Sequence, residues 1–245
     1  PGMYETCIFD LYGTLVDIHT DEEKEELWER LALFYAFYGA AYTPGELRAA
    51  YRRLTEEQSA GKRGVRRDAH EAFPEIQIED VFRSLFLEEG AEADEPLVRH
   101  AGQFFRILSI DYLRLYEGTK EMLQALREKG KKLYLLSNAQ KIFTEYEMNA
   151  LGITPYFDGI FISSEQGCKK PDLAFYESLL TAFAIPRKTA VMTGNDGLCD
   201  IEGAKRAGLA TVYVRTEISP EEPFPAADHV LERMDMKKLR DILLG

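Results

Sequence analysis

Four short runs of this sequence carry residues whose types and spacing could do chemistry. The first is Cys7-Ile8-Phe9-Asp10-Leu11-Tyr12-Gly13-Thr14-Leu15-Val16-Asp17, an apolar strand that ends on an acid and turns through a glycine. A carboxylate so placed can be a nucleophile, a metal ligand, or both. The second, Leu135-Leu136-Ser137-Asn138, ends a strand on a hydroxyl and an amide that can donate to phosphate or carboxylate oxygens. The third, Cys168-Lys169-Lys170-Pro171-Asp172, opens a helix with proline in its first turn and sets a lysine where it can stand beside an anion. The fourth, Gly194-Asn195-Asp196-Gly197-Leu198-Cys199-Asp200, follows a strand and brings two more acids in an Asp196-x-x-x-Asp200 pair. Each run alone has a plainer explanation: a helix cap, a helix start, loop polarity. All four occur in order, each at the C-terminal end of a predicted strand. In a parallel sheet those ends face the ligand crevice, so coincidence is the poorer account.

The elements that must position them divide the chain into two kinds. After Asp111, strand-like and helix-like segments alternate, as in a parallel α/β sheet. Strands are expected at Lys132–Leu136, Gly159–Ile162, Thr189–Met192 and Thr211–Val214, with Thr6–Phe9 isolated at the N-terminus. A helix from about Thr119 to Lys129 turns Met122, Leu123 and Leu126 to one face and stops at Gly130, and another runs near Ile142–Leu151. Phe175, Tyr176, Leu179, Leu180 and Phe183 share one helical face. From about Asp17 to Tyr116 the pattern is of helices alone, with apolar stripes at Leu27, Leu31, Phe34 and Tyr38 and at Val81, Phe82, Leu85 and Phe86. The expected organisation is therefore residues 1–16 and 117–245 as an α/β core and residues 17–116 as an inserted helical lobe.

The composition narrows the partners. A chain of 245 residues with 45% apolar and 29% charged residues suits a soluble core plus a smaller lobe. A net charge of −12 disfavours nucleic acid, whose sequence-independent binding needs a positive face, while leaving room for a small anionic substrate. No apolar run approaches the ~20 residues of a spanning helix, and no signal-like segment precedes the first strand, so no membrane partner is expected. Three widely spaced cysteines fit a reducing, cytoplasmic compartment, and four scattered histidines give little support to a soft-metal site or a histidine triad. A monomer or homodimer is expected. Arg52, Arg53, Lys62, Arg63, Arg66 and Arg67 form a basic stretch that either solvates a helix face, the better expectation, or captures an anion.

The four runs resemble the motifs of the haloacid dehalogenase superfamily, and the likeness covers nearly the whole chain. Asp10-Leu11-Tyr12-Gly13-Thr14 resembles the first motif, Ser137 the second, Lys170 before Pro171 the third, and Asp196 with Asp200 the fourth. The resemblance implies a doubly wound, Rossmann-like parallel sheet with an inserted α-helical cap, and catalysis by an aspartate nucleophile. It implies Asp10, Tyr12 and Lys170 as the catalytic set, and Thr14, Ser137 and Asn138 as substrate contacts. It also implies Mg²⁺ held by Asp10, the Tyr12 carbonyl, Asp196 and Asp200. A register one residue wider, found in some members, would put Asn195 in the metal position instead.

Tyr12 is a departure. Family phosphatases keep a second aspartate there to protonate the leaving alcohol and activate water, and a phenol is a poor base at neutral pH. The 2-haloacid dehalogenases resemble this chain at that position, since halide leaves without a proton. Three readings follow: a Mg²⁺-dependent phosphatase of a small phosphorylated metabolite, slow for want of that aspartate; a metal-independent 2-haloacid dehalogenase; and a non-catalytic binding protein of the same fold. Tyr176, six residues beyond Lys170, matches an aromatic that dehalogenases place near substrate, but its apolar helical face favours core packing.

Overall fold

The computed structural model describes residues 3–60, 65–67 and 70–245. In chain order the elements are β1 (Thr6–Phe9), β2 (Val16–Thr20), α1 (Glu25–Phe37), α2 (Pro44–Ala60), β3 (Val65–Arg67), β4 (His70–Ala72), α3 (Ile78–Leu87), α4 (Glu95–Ser109) and β5 (Ile110–Leu115). They continue with α5 (Thr119–Glu128), β6 (Lys132–Ser137), α6 (Lys141–Leu151), β7 (Gly159–Ile162), α7 (Ser163–Gln166) and α8 (Leu173–Ala182). The last are β8 (Ala190–Gly194), α9 (Gly203–Arg206), β9 (Ala210–Val214), β10 (His229–Leu231) and α10 (Met236–Leu244).

Six strands pair in parallel in the order β10-β9-β8-β1-β6-β7. The alternation of side chains along each strand feeds two cores. Cys7, Phe9, Leu133, Leu135 and Val191 pack on one face with α5 and α10, while Ile8, Tyr134, Leu136 and Met192 pack on the other with α8 and α9. Strand order reverses at β1, the position that opens a crevice beyond the strands' carboxyl ends. β1 is covered on both edges, so an almost wholly apolar strand is its stable solution.

Helices α1 to α4 pack on one another around Leu31, Tyr35, Val81, Phe82, Phe86 and Phe105. Aromatic rings set this interior, with Tyr51 and Phe105 centroids 4.8 Å apart and Tyr35 and Phe86 4.2 Å apart. The expectation of helices alone between residues 17 and 116 is corrected. β2 pairs antiparallel with β5, Val16 opposite Leu115, and β3 pairs with β4. The β2–β5 ribbon joins residues almost a hundred positions apart, so no local hairpin signal announces it. Ile142 and Phe143 of α6 also bury against the four-helix cluster. A strap of chain after β4 ties the helical block to the sheet. Lys169 N–H donates to Phe73 O at 2.8 Å, Glu75 N–H to Gly167 O at 3.1 Å, and Gln140 bridges Ile76 O and Ile78 N–H at 3.1 Å each.

Candidate active site

Asp10 is the first residue beyond β1, and its N–H is fixed to Thr193 O at 3.0 Å, so the carboxylate emerges at the sheet's carboxyl edge. The chain then reverses. Gly13 has φ +83°, and a Cβ there would stand 2.3 Å from the Asn195 side chain and 2.7 Å from Ile218, so only glycine fits. The turn returns Thr14 Oγ1 to within 3.3 Å of Asp10 Oδ2.

Lys170 comes from the far side of β6. Its ammonium donates to Asp10 Oδ1 at 3.0 Å, Asp200 Oδ1 at 2.8 Å and Leu136 O at 2.7 Å, which uses all three protons. The side chain is 2% exposed. Burial alone would lower its pKa, but the Asp10 and Asp200 carboxylates outweigh that and hold it above the usual lysine range. Burial, with the charge of Asp10, also pushes Asp200 up, above the usual carboxylate range. A charged Lys170 is the direction both carboxylates require, and Asp10 keeps a fixed positive neighbour.

Asn138 serves this lysine. Its Nδ2 donates to Lys170 O at 2.9 Å and its Oδ1 accepts from Lys170 N–H at 2.8 Å. Asn138, expected as a substrate contact, uses its oxygen and one amide N–H on the Lys170 backbone in this structure. Ser137 is different. Its Oγ is fully buried and, among the described residues, lacks a hydrogen-bond partner, as does Thr193 Oγ1. These hydroxyls end the two strands that flank β1. Sequence reasoning missed Thr193; its only signal is the alternation that puts it level with Phe9 on β8.

The fourth run is rearranged relative to expectation. Asp196 is expected among the metal ligands, but its Oδ1 accepts from Leu198 N–H at 3.0 Å and Cys199 N–H at 2.9 Å. It is the N-cap of a π-helical turn, Gly197–Glu202, whose first N–H groups need an acceptor. Asp200, placed there too, gives one oxygen to Lys170 and the other to Asp196 N–H at 3.1 Å. Asn195 takes the position beside Asp10. One end of its amide lies 2.8 Å from Asp10 Oδ2 and 3.3 Å from Tyr12 O, and Thr14 Oγ1 reaches it at 3.4 Å. Tyr176 is fully buried and donates to Cys199 O at 2.6 Å, which supports core packing over substrate contact.

The Tyr12 side chain turns away from Asp10 toward α6. Its phenol donates to Glu147 Oε1 at 2.5 Å and meets Thr144 Oγ1 at 2.9 Å. Arg106 of α4 completes the group with two contacts to Glu147, at 2.7 and 3.0 Å. Burial and the Glu147 charge raise the phenol's pKa, so it is a weaker acid than a free tyrosine and holds its proton. The catalytic role expected of this side chain is corrected to one of structure, while its carbonyl stays at the site. Of the basic stretch, Arg52 pairs with Glu23 and Arg53 with Glu88 at 2.6 Å, both on the surface. Lys62 and Arg63 lie outside the described residues.

Mg²⁺ demands oxygen ligands in an octahedron, whose adjacent oxygens lie about 2.9 Å apart for metal–oxygen distances of 2.0–2.1 Å. With Asn195 Oδ1 turned inward, Asp10 Oδ2, Tyr12 O and Asn195 Oδ1 converge, the amide oxygen 2.8 and 3.3 Å from the other two, with no proton between them. This donor set fits Mg²⁺ in type, with one carboxylate and two neutral oxygens, and the two spacings from Asn195 lie near that of adjacent octahedral ligands. Among the described residues no group of three or more His, Cys, Asp or Glu side chains could hold a metal.

Residues 4–208 match the family model of the haloacid dehalogenase-like hydrolases. A phosphoserine phosphatase of Thermus thermophilus is 32% identical over 167 residues, 68% of this chain and 64% of the relative. A glyceraldehyde 3-phosphate phosphatase of Methanothermobacter thermautotrophicus is 30% identical over 61% of this chain and 65% of its own length. The matched part thus spans a little under two thirds of either relative. A 2-haloacid dehalogenase from Pseudomonas syringae superposes with a TM-score of 0.62 at 20% identity, covering 98% of both chains. The magnesium-bound putative HAD-hydrolase YfnB of Bacillus subtilis superposes with a TM-score of 0.55 at 21% identity, over 98% of both. Two structures so different in sequence establish a shared fold, and no helix among the described residues is long and apolar enough to cross a membrane. The motifs, the parallel sheet that gathers them and the family match agree: this chain belongs to the haloacid dehalogenase-like hydrolase family.

Proposed function

We propose that the protein is a phosphatase of small phosphorylated metabolites, with Asp10 as its nucleophile and residues 17–116 as a cap over the crevice. The observation that supports this most is the Asp10 carboxylate, 8% exposed at the carboxyl end of the central strand with Lys170 held against one oxygen. The two phosphatases of about 30% identity support the same class. An oxygen of Asp10 bonds to phosphorus as the bond from phosphorus to the ester oxygen breaks. Water then cleaves the acyl phosphate, releasing inorganic phosphate and restoring the carboxylate. Lys170 holds one oxygen of Asp10 and so orients the carboxylate. Ser137, whose buried hydroxyl has no partner among the described residues, would donate to a phosphoryl oxygen once the end of β6 opens to substrate. Asp10, the Tyr12 carbonyl and Asn195 would hold Mg²⁺, which when bound supplies positive charge against the phosphoryl oxygens.

The Tyr12 side chain does not serve as a general acid, because it is committed to Glu147. The leaving group must depart largely unprotonated. A panel of aryl and alkyl phosphates with and without Mg²⁺ tests this, with aryl esters expected to turn over far faster. Equal rates on both, or no turnover of any ester, would contradict it.

The Tyr12 and Asn195 positions favour a second reading, halide displacement from a 2-haloacid, which needs neither a proton donor nor a cation. Adding 2-haloacids to the same panel separates the two: turnover of these substrates undiminished by a chelator would promote it.

A further inference from the structure

Asn195 is 5% exposed and stands between two oxygens that carry no proton of their own, the Asp10 carboxylate and the Tyr12 carbonyl. Its amide can face them in two ways, and each has a distinct chemistry. Turned with Nδ2 inward, it donates to Asp10 Oδ2 at 2.8 Å and to Tyr12 O at 3.3 Å, satisfying both acceptors. Turned with Oδ1 inward, it adds a third acceptor beside the other two, with the long contact from the Thr14 hydroxyl at 3.4 Å, itself shared with Asp10, as its donor, so the arrangement gains most from a cation. An aspartate at this position would have only the second option. Without a cation it would set another negative charge against Asp10, whose cationic contact with Lys170 is shared with Asp200.

We propose that the Asn195 amide is a rotating substitute for the divalent cation. Its NH₂ bridges Asp10 and the Tyr12 carbonyl in the metal-free protein, and its oxygen turns in as a ligand when Mg²⁺ enters. The inference rests on the cation site of the proposed hydrolase. It follows that the metal-free site is already organised, with Asp10 oriented by Lys170 on one oxygen and Asn195 on the other. It also follows that Mg²⁺ binds weakly, because its arrival must break two hydrogen bonds and gains a neutral ligand where a carboxylate would bring charge. The amide's other end faces donors, so the Oδ1-inward state also sets the NH₂ against them, a further cost that the entering cation must offset.

The test is a Mg²⁺ titration of the full chain followed by calorimetry and by the ¹⁵N side-chain amide resonance of Asn195, assigned by its absence in Asn195→Asp. In the metal-free protein the Asn195 NH₂ should be protected from solvent exchange. It should shift and lose protection with the midpoint that calorimetry gives for Mg²⁺. Asn195→Asp should bind Mg²⁺ about ten- to a hundredfold more tightly, and metal-free it should be less stable than the wild type. An NH₂ resonance unmoved while Mg²⁺ saturates, no Mg²⁺ binding by the wild type, or equal affinity in Asn195→Asp would overturn the proposal. If the aspartate variant fails to fold, the wild-type resonance alone decides. These readouts need no turnover. An amide that rotates in a protein inactive on every phosphate ester would support the proposal and remove the phosphatase reading.

Discussion

The hydrogen bond from the Tyr12 phenol to Glu147, at 2.5 Å, fixes what Asp10 has for company. A side chain held by Glu147, Thr144 and the Arg106 guanidinium packs the base of the helical block and cannot swing to a leaving group. Tyr12→Phe should therefore cost about 1.5–3 kcal/mol of stability, because it removes a buried hydrogen bond to the Glu147 carboxylate, yet change aryl phosphate turnover only slightly. Urea titration and steady-state kinetics check both parts; stability unchanged with turnover lost would give the phenol a chemical role. Tyr12→Asp restores a short acid beside Asp10 and should raise alkyl phosphate turnover by up to ~10²–10⁴-fold, less whatever the vacated ring volume costs in order. An unaltered alkyl rate in a normally folded variant would show that protonation of the leaving group is not what limits the enzyme.

Among the elements, the ends of β1, β6 and β8 and the loop before α8 do the positioning, and Asn138 shows how. Its amide binds both backbone groups of Lys170, so the end of β6 carries the lysine as well as Ser137. Asn138→Ala should lower stability by about 1–3 kcal/mol and reduce turnover, with both measured on the same preparation. Turnover unaffected by a loss of stability of that size would separate the loop from the site. Much of this was legible beforehand. The apolar runs ending on Asp10 and on Ser137-Asn138 are buried strands whose periodicity and length announce them, and their polar ends are then at one edge of the sheet. The β2–β5 ribbon was not legible, because its partners are distant in sequence and its alternation is short. Nor was the choice between Asn195 and Asp196. A π-helical turn that takes Asp196 as its cap is decided by backbone hydrogen bonding, which residue types alone do not reveal.

Across the whole molecule, burial pushes the same kind of group in the same direction. Tyr12, Tyr35, Tyr51 and Tyr176 all have pKa values raised above 10.0, with burial the first cause in each, and the carboxylates around Lys170 raise that lysine. Above about pH 10 the unfolded chain loses phenol protons that the folded chain keeps, so stability must fall as pH rises through the folded values. The urea midpoint should be lower at pH 11 than at pH 8, and phenolate absorbance from the buried tyrosines should appear only with unfolding. A midpoint that holds or rises would contradict the burial described for these rings. The fold gathers its chemistry on one carboxylate, and that is where the account is most directly tested. The protein should be quenched in acid during p-nitrophenyl phosphate turnover with Mg²⁺ present and digested, and the peptide containing Asp10 weighed. The account predicts one added phosphoryl group on Asp10 in the wild type and none in Asp10→Asn, which should also be inactive. Nitrophenol release with no phosphoryl group on Asp10, or with the group on another residue, would contradict it.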